Sequence, residues 1–218
     1  MEPSGGVGTA SIRVGTVADA QLAASLHAGQ ITEGFLASLG PRFLARLYRR
    51  VALFEGSFLL VADVSGKPVG FLAGALDVGA LYKRFLLSDG LVAALTSAPR
   101  LVRAWPRALE TLRHGSGDKA GPGTAELLSI AVDPTSRGHG TGALLVNGFV
   151  DEAKNGGASG AQVVVGADNR AAVSLYSRSG FEQADKFELH PGTRSLLMRL
   201  SLSGAEGAGQ QPQLPRLA

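Results

Sequence analysis

With 218 residues, 45% of them apolar and no cysteine, the chain has material for one sizeable core but none for disulfides, thiolate–metal sites or cysteine nucleophiles. Its formal charge of +3 and its 6% of aromatic residues fall short of a nucleic-acid footprint, and no zinc-finger or RNA-binding motif accompanies them. No uncharged apolar run reaches the roughly 18 residues of a membrane-spanning helix, and the opening MEPSGGVGTA lacks the basic and apolar regions of a signal peptide.

Residues 1–10 are accordingly expected to be a flexible leader, and the cytoplasm is the expected location. Residues 11–15 read as a strand. Thr16 and Asp19 form a threonine-x-x-acid helix start, and a helix follows to about His27. Gly40-Pro41 punctuates, and Pro41 suits a first helical turn. Phe43, Leu44, Leu47, Tyr48 and Val51 then recur at helical spacing, with Arg42, Arg46, Arg49 and Arg50 on the remainder, a solvated basic face or a binding one. Residues 58–64 and 69–76 read as the strands of a hairpin turning through Ser65-Gly66-Lys67-Pro68.

Residues 81–114 are helical in composition, and 115–123 form a glycine-rich linker. The helical stretch holds Lys83, Arg84, Arg100, Arg103, Arg107 and Arg113 against Asp89 and Glu110. Four readings of this basic stretch stay open: a lid favouring an acidic or phosphorylated substrate, a solvated helical pair, a dimer interface, or a membrane-surface helix. After it come a strand at 126–132, a helix from Gly138 to about Lys154, a strand at 161–166 and a helix at 169–179. Two strands, 181–189 and 194–202, follow. The Val163-Val164-Val165 run suggests burial on both faces. A Gly-, Gln- and Pro-rich tail over 203–218 is expected to be disordered. The order implies one mixed α/β domain over 11–202 with at least one crossover unit. His27, His114, His139 and His190 are scattered without metal-ligand spacing, so no metal is expected.

The segment Arg137-Gly138-His139-Gly140-Thr141-Gly142 stands between a strand and a helix. The first amides of a helix lack internal partners and carry the positive end of its dipole. Glycines let backbone approach an anion closely, so the segment forms a concave set of donors suited to pyrophosphate, with a charge added by Arg137. Tight packing alone would also call for glycines. Gly138-x-Gly140-x-x-Ala143 nearly matches a dinucleotide fingerprint, but that loop follows its strand at once, whereas Asp133-Pro134-Thr135-Ser136-Arg137 intervenes here.

The strand, Asp133-Pro134 and Arg137-x-x-Gly140-x-Gly142 together resemble the acetyl-CoA loop of the GNAT (GCN5-related N-acetyltransferase) superfamily. A second motif of that family matches Asn169 to Tyr176, followed by Gly180-Phe181. The close resemblance covers about 125–182, and the element order extends it over 11–202. It implies a central mixed, mostly antiparallel sheet flanked by helices, to which 81–114 would be an added helical insertion.

The resemblance also implies acetyl-CoA as co-substrate and direct attack by a primary amine in a ternary complex. The acceptor would be a small molecule, and a homodimer is a family-level expectation. The amine must lose a proton before it attacks, and Glu126 matches a position where several family members hold that base. Alternation would put Glu126 on the same side as Leu128 and Ile130. Tyr176 takes the family's general-acid position opposite the leaving thiolate. Backbone of Ile130, Ala131 and Val132 would donate to the carbonyl oxygen and pair with the pantetheine arm. Gly138, His139, Gly140, Thr141 and Gly142 would hold the pyrophosphate, and Asn169 would help seat the cofactor, cap its helix, or both. Ser129 reads as a satisfied core hydroxyl. A catalytically silent CoA-binding module and a protein N-terminal or lysine acetyltransferase are the alternatives.

Overall fold

The structure is a computed structural model that describes residues 9–31, 40–88, 123–190 and 193–203. Most of the expected leader and tail (1–8 and 204–218), the segment 89–122 and therefore most of the basic stretch lie outside the described residues, while Ala10, expected in the leader, already belongs to the first strand. Seven strands form a single sheet in the order β1-β2-β3-β4-β5-β7-β6. They are β1 (Ala10–Val14), β2 (Ser57–Val64), β3 (Lys67–Ala75), β4 (Thr124–Val132), β5 (Gly160–Gly166), β6 (Glu182–His190) and β7 (Thr193–Ser201). Every neighbouring pair is antiparallel except β4 with β5, which are parallel. This is the mixed, mostly antiparallel sheet that the family resemblance implied.

Helices cover both faces. The first is α1 (Ala20–Gln30), followed by α2 (Pro41–Leu53) and α3 (Val78–Ser88); α4 (Thr141–Asn155) and α5 (Arg170–Arg178) complete the set among the described residues. On one face, Leu145, Val146 and Phe149 of α4 and Tyr176 of α5 pack against Leu60, Leu72, Leu127, Val163 and Met198. On the other, Ala20, Ala23 and Ala24 of α1, Leu44, Tyr48 and Val51 of α2 and Leu81 of α3 pack against Leu59, Phe71 and Ala73. The small residues of α1 recur at i, i+3 and i+4, so that helix lies close on the sheet. All five apolar residues expected on the buried stripe of α2 are buried. No described helix is long and apolar enough to cross a membrane.

Local chemistry accounts for most boundaries. Thr16 and Asp19 form the expected capping box, on a short 3-10 turn that leads into α1. Asp19 also pairs with Arg13 at 2.7 Å, and Arg13 reaches Asp63 of β2 at 2.8 Å. The hairpin turn is shorter than expected. Ser65 and Gly66, with φ of 51° and 73°, complete it, and Lys67 and Pro68 already belong to β3. Pro68 is tolerated there because it sits beside the register shift at Ala62/Asp63. The first helix of the inserted stretch begins at Val78 rather than Leu81, where the Asp77 carboxylate accepts from the Ala80 amide at 2.8 Å.

The helix after β4, by contrast, starts later than expected. It begins at Thr141, so Gly138, His139 and Gly140 belong to the loop. Gly138 and Gly140 have φ of 81° and 82°, values that disfavour any residue with a Cβ and keep the first helical turn from extending backward.

Candidate active site

The central feature is a wedge between β4 and β5. The strands pair only from Thr124 to Leu127 against Gly160 to Val163, although β4 runs on to Val132 and β5 to Gly166. Opposite β3, Ala73 pairs with Ser129 and Gly74 with Leu127, leaving Leu128 as an extra residue. Such a bulge bends and twists its strand, which accounts for the parting of β4 from β5 at this level. The stretch 128–132 therefore runs along the wedge with no β5 ladder beside it.

The bulge also corrects the expected facing of β4. Ala125 and Leu127 belong to the α4/α5 side and Ala131 to the α1–α3 side. Glu126 thus faces the α1–α3 side together with Leu128 and Ser129, while Ile130 and Val132 pack on the other side. Ile130 does not share a face with Glu126, because the extra residue inverts the alternation.

Parallel pairing puts the C-terminal ends of β4 and β5 together at the open end of the wedge. The segment after β4 is held by Asp133, whose amide donates to Val69 O at 2.7 Å and whose carboxylate accepts from the Thr135 amide at 2.9 Å. Arg137 donates from Nε to Val132 O at 3.1 Å and from Nη2 to Gln30 Oε1 at 2.6 Å, which ties the loop to the end of α1. The first amide of α4 with an intrahelical acceptor is Leu144, bonded to Gly140 O at 3.0 Å. The amides of Thr141, Gly142 and Ala143 precede that bond and point out of the helix end. A Cβ at Gly138 or Gly140 would meet nothing within 4 Å, so backbone conformation, not crowding, calls for glycine there. Gly142 differs, since its Cβ would come within 3.3 Å of Leu175 on α5. After β5, Asn169 caps α5 by accepting from the Ala172 amide at 3.1 Å.

Glu126 and Tyr176 stand on opposite sheet faces. Glu126 is 7% exposed and accepts a hydrogen bond from Gln162 Nε2 of β5 at 3.0 Å. Tyr176 is 3% exposed, its ring 5.9 Å from that of Phe181, and burial pushes its phenol well above the ordinary value, so it stays protonated. Ser129 is buried and hydrogen-bonded to the Tyr48 phenol, as a core hydroxyl should be. No cluster of His, Cys, Asp and Glu suited to a metal occurs among the described residues. A shallow cleft beside Ser57, Leu76, Glu152 and Asn155 lies at the far end of α4, away from the wedge.

Sequence reasoning missed a polar group of residues on the α1–α3 side. His27 Nδ1 and the Tyr48 hydroxyl are 2.5 Å apart, and the Tyr48 ring packs edge-on against Phe71. Tyr82 of α3 is partly buried near both Tyr48 and Glu126. The available signal was His27 itself, a lone imidazole at the fourth position of an otherwise alanine stripe. Burial lowers its pKa from 6.5 to about 4. Between those values the unfolded chain binds the proton and the folded chain does not, so stability should fall as pH drops from 6.5 to 4. The loss should approach roughly 3 kcal/mol. Urea unfolding across this window should show it in the native protein and not in His27→Gln. A midpoint that does not differ between the two in its pH response would contradict a buried neutral His27.

Comparisons with known proteins agree with this geometry. A model described as the acetyltransferase (GNAT) family matches residues 29–181. The chain is 39% identical over 61 residues to an uncharacterized N-acetyltransferase of Methanocaldococcus jannaschii, a stretch covering 28% of this chain and 27% of that protein. It is 36% identical over 69 residues to the mycothiol acetyltransferase of Kocuria rhizophila, covering 32% and 22%. The matches thus span about a quarter of the length of these curated relatives. The fold is similar to that of a GNAT-family acetyltransferase from Streptococcus pneumoniae (TM-score 0.57, 18% identity, 88% of this chain and 99% of that one). It is also similar to an aminoglycoside acetyltransferase in complex with coenzyme A (0.60, 18%, 88% and 95%). A third likeness is to the ribosomal-protein-S18-alanine N-acetyltransferase of Escherichia coli (0.53, 19%, 92% and 98%).

Proposed function

The chain belongs to the acetyltransferase (GNAT) family, and on that footing we propose that it transfers the acetyl group of acetyl-CoA to a primary amine of a small molecule by direct attack in a ternary complex. The wedge between β4 and β5 carries this reading. A narrow acyl-pantetheine arm suits a gap where one strand has lost its neighbour, pairing with Ile130, Ala131 and Val132 as an added strand does. The pyrophosphate would lie at the open end, against the amides from Gly138 through Gly142 that begin α4, with Asn169 flanking it. Coenzyme A is present in the similar aminoglycoside acetyltransferase structure.

A thioester lying in the wedge is open to both sheet faces. Glu126 approaches from the α1–α3 side and takes the proton of the acceptor ammonium, freeing the nitrogen lone pair. The nitrogen attacks the carbonyl carbon, and the amides along 130–132 stabilise the oxyanion. The C–S bond breaks as the carbonyl re-forms, and Tyr176 on the α5 side gives its proton to the thiolate. The products are the N-acetyl amine and CoA thiol. The proton on Glu126 returns to solvent, and one transferred from the nitrogen restores the Tyr176 phenol.

Helix α3 begins three residues after Ala75, the strand partner of Glu126, and a helix there would favour a small amine over a peptide on that face. The relatives are named for mycothiol, an aminoglycoside and a ribosomal-protein alanine, so family membership leaves the acceptor open.

Thiol release from acetyl-CoA, followed with a panel of amines and peptides, tests the reading. Turnover with at least one small amine is expected, and Tyr176→Phe should lower it by about 10- to 100-fold at unchanged acetyl-CoA affinity. Tight acetyl-CoA binding without turnover on any amine or peptide would favour a silent CoA-binding module. An undiminished rate in Tyr176→Phe would remove that tyrosine as the acid.

A further inference from the structure

The stripe that buries α1 continues beyond the core. Ala20, Ala23, Ala24 and His27 are buried at i, i+3, i+4 and i+7, and Gln30 is the next step along the same face. Two contacts fix the rotation of this last turn. His27 Nδ1 lies 2.5 Å from the Tyr48 hydroxyl, and the Ile31 amide donates to His27 O at 2.8 Å as Ile31 packs against the core. At Gln30 the stripe has reached the level of the loop after β4. Gln30 is half-buried, and its Oε1 accepts from Arg137 Nη2 at 2.6 Å. The bond joins the last residue of α1 to the first residue of the glycine loop, 107 positions along the chain.

The guanidinium of Arg137 is held along one edge. Nε donates to Val132 O at 3.1 Å and Nη2 to Gln30 Oε1, so two neutral oxygens occupy the fork that a carboxylate would otherwise fill. The positive charge is therefore fixed in place without being cancelled. Nη1 lies on the far side of the planar group, outside both bonds. Arg137 is exposed, and a free arginine at such a position carries rotamer freedom that an arriving anion would have to remove.

We propose that Gln30 is a positioning residue of the cofactor site, holding the Arg137 guanidinium by its Nε–Nη2 edge so that the Nη1 side meets the pyrophosphate of the acyl donor. The proposal rests on the reading of 137–142 as the pyrophosphate loop. Glutamine suits the task because its carbonyl is an acceptor without charge. A carboxylate at the same position would grip the guanidinium harder and neutralise it. The Val132 carbonyl on the same edge couples the arginine to the strand that flanks the acyl-pantetheine arm, so α1, the end of β4 and the loop act as one fixed part.

The test is calorimetric titration with coenzyme A of the native chain, Gln30→Ala, Gln30→Glu, Arg137→Ala and the Gln30→Ala/Arg137→Ala double variant, each at several salt concentrations. Arg137→Ala should weaken binding by about 10- to 100-fold, the size of a charge-assisted contact. Gln30→Ala should weaken it by about 3- to 10-fold, the cost of ordering a released arginine. In the Arg137→Ala background Gln30→Ala should add little, because the group it holds is gone. Gln30→Glu keeps the bond and should still weaken binding, with a shallower salt dependence than the native chain. A merely structural role for Gln30 would give the same loss with or without Arg137, and that result overturns the proposal. Native affinity in Gln30→Ala, beside a weakened Arg137→Ala, also overturns it and leaves the loop assignment standing. Tighter binding in Gln30→Ala would mean that the amide competes with phosphate for the guanidinium, which is the opposite of the proposal. Native affinity in Arg137→Ala removes the arginine from the pyrophosphate site, and the role of Gln30 with it.

Discussion

Glu126→Gln is expected to lower turnover at neutral pH by about 10²- to 10⁴-fold while leaving acetyl-CoA affinity within about twofold. The substitution is nearly isosteric, and the new amide carbonyl can still accept from Gln162, which donates to the Glu126 carboxylate at 3.0 Å in the native chain. Packing around the 7%-exposed side chain should therefore survive, and only the proton acceptor is lost. The residual rate should climb with pH toward the pKa of the acceptor amine, about 10.4 for a simple alkylamine, because solvent then supplies the free base. Rates measured from neutral to alkaline pH check both parts. Activity within twofold of native at neutral pH would remove Glu126 as the base and leave the donor site untouched.

The second large effect belongs to the opposite end of the wedge. Gly140→Asp should weaken acetyl-CoA binding on the order of 10²-fold. A carboxylate roughly 5 Å from the pyrophosphate costs about 3 kcal/mol at an effective dielectric near 20, and that is the size of the loss. Gly140→Asn separates this charge effect from backbone strain. Asn and Asp both tolerate the left-handed region that the φ of 82° demands, and a Cβ there meets nothing within 4 Å. The Asn variant should bind far better than the Asp variant, and the gap should shrink as salt is added. Calorimetric titration with coenzyme A measures it. Equal affinities for the two variants would mean that charge is irrelevant at the loop, and native affinity in both would separate the loop from the phosphates.

The parts of the site that were legible in the sequence are those where backbone geometry restricts residue type. Positive φ at Gly138 and Gly140 and the capping carbonyl of Asn169 leave few alternatives, so the motifs are visible one residue at a time. The facing of Ile130 was not legible, since the extra residue Leu128 looks like any other apolar strand residue. The buried polar side chains around the α1–α3 side and Glu126's partner Gln162 were hidden for another reason. His27, Tyr48, Tyr82 and Gln162 come from separate elements, and helical periodicity marks Tyr48 only as one more member of a core stripe. Tertiary contact, which no local pattern encodes, is what makes these side chains a group. The helix starts after β4 and after β3 were misplaced by three residues each, in opposite directions, because glycines and an Asp cap outweigh composition at helix ends.

The extra residue in β4 has a consequence for how the chain can vary. A strand carries one bit of information per residue, up or down, and Leu128 offsets that count by one for everything beyond it. Exchanging Leu128 for another apolar residue leaves the count alone. Deleting it would leave a strand that alternates without a break: with 129–132 held in place, Leu127 would directly precede Ser129, and Glu126 would keep its place on the α1–α3 side. The same deletion would remove the bend that separates β4 from β5, so the cofactor gap would close while the proton acceptor kept its side. Position 128 is thus free in identity and fixed in existence, a constraint on chain length that no count of tolerated substitutions at that position would detect.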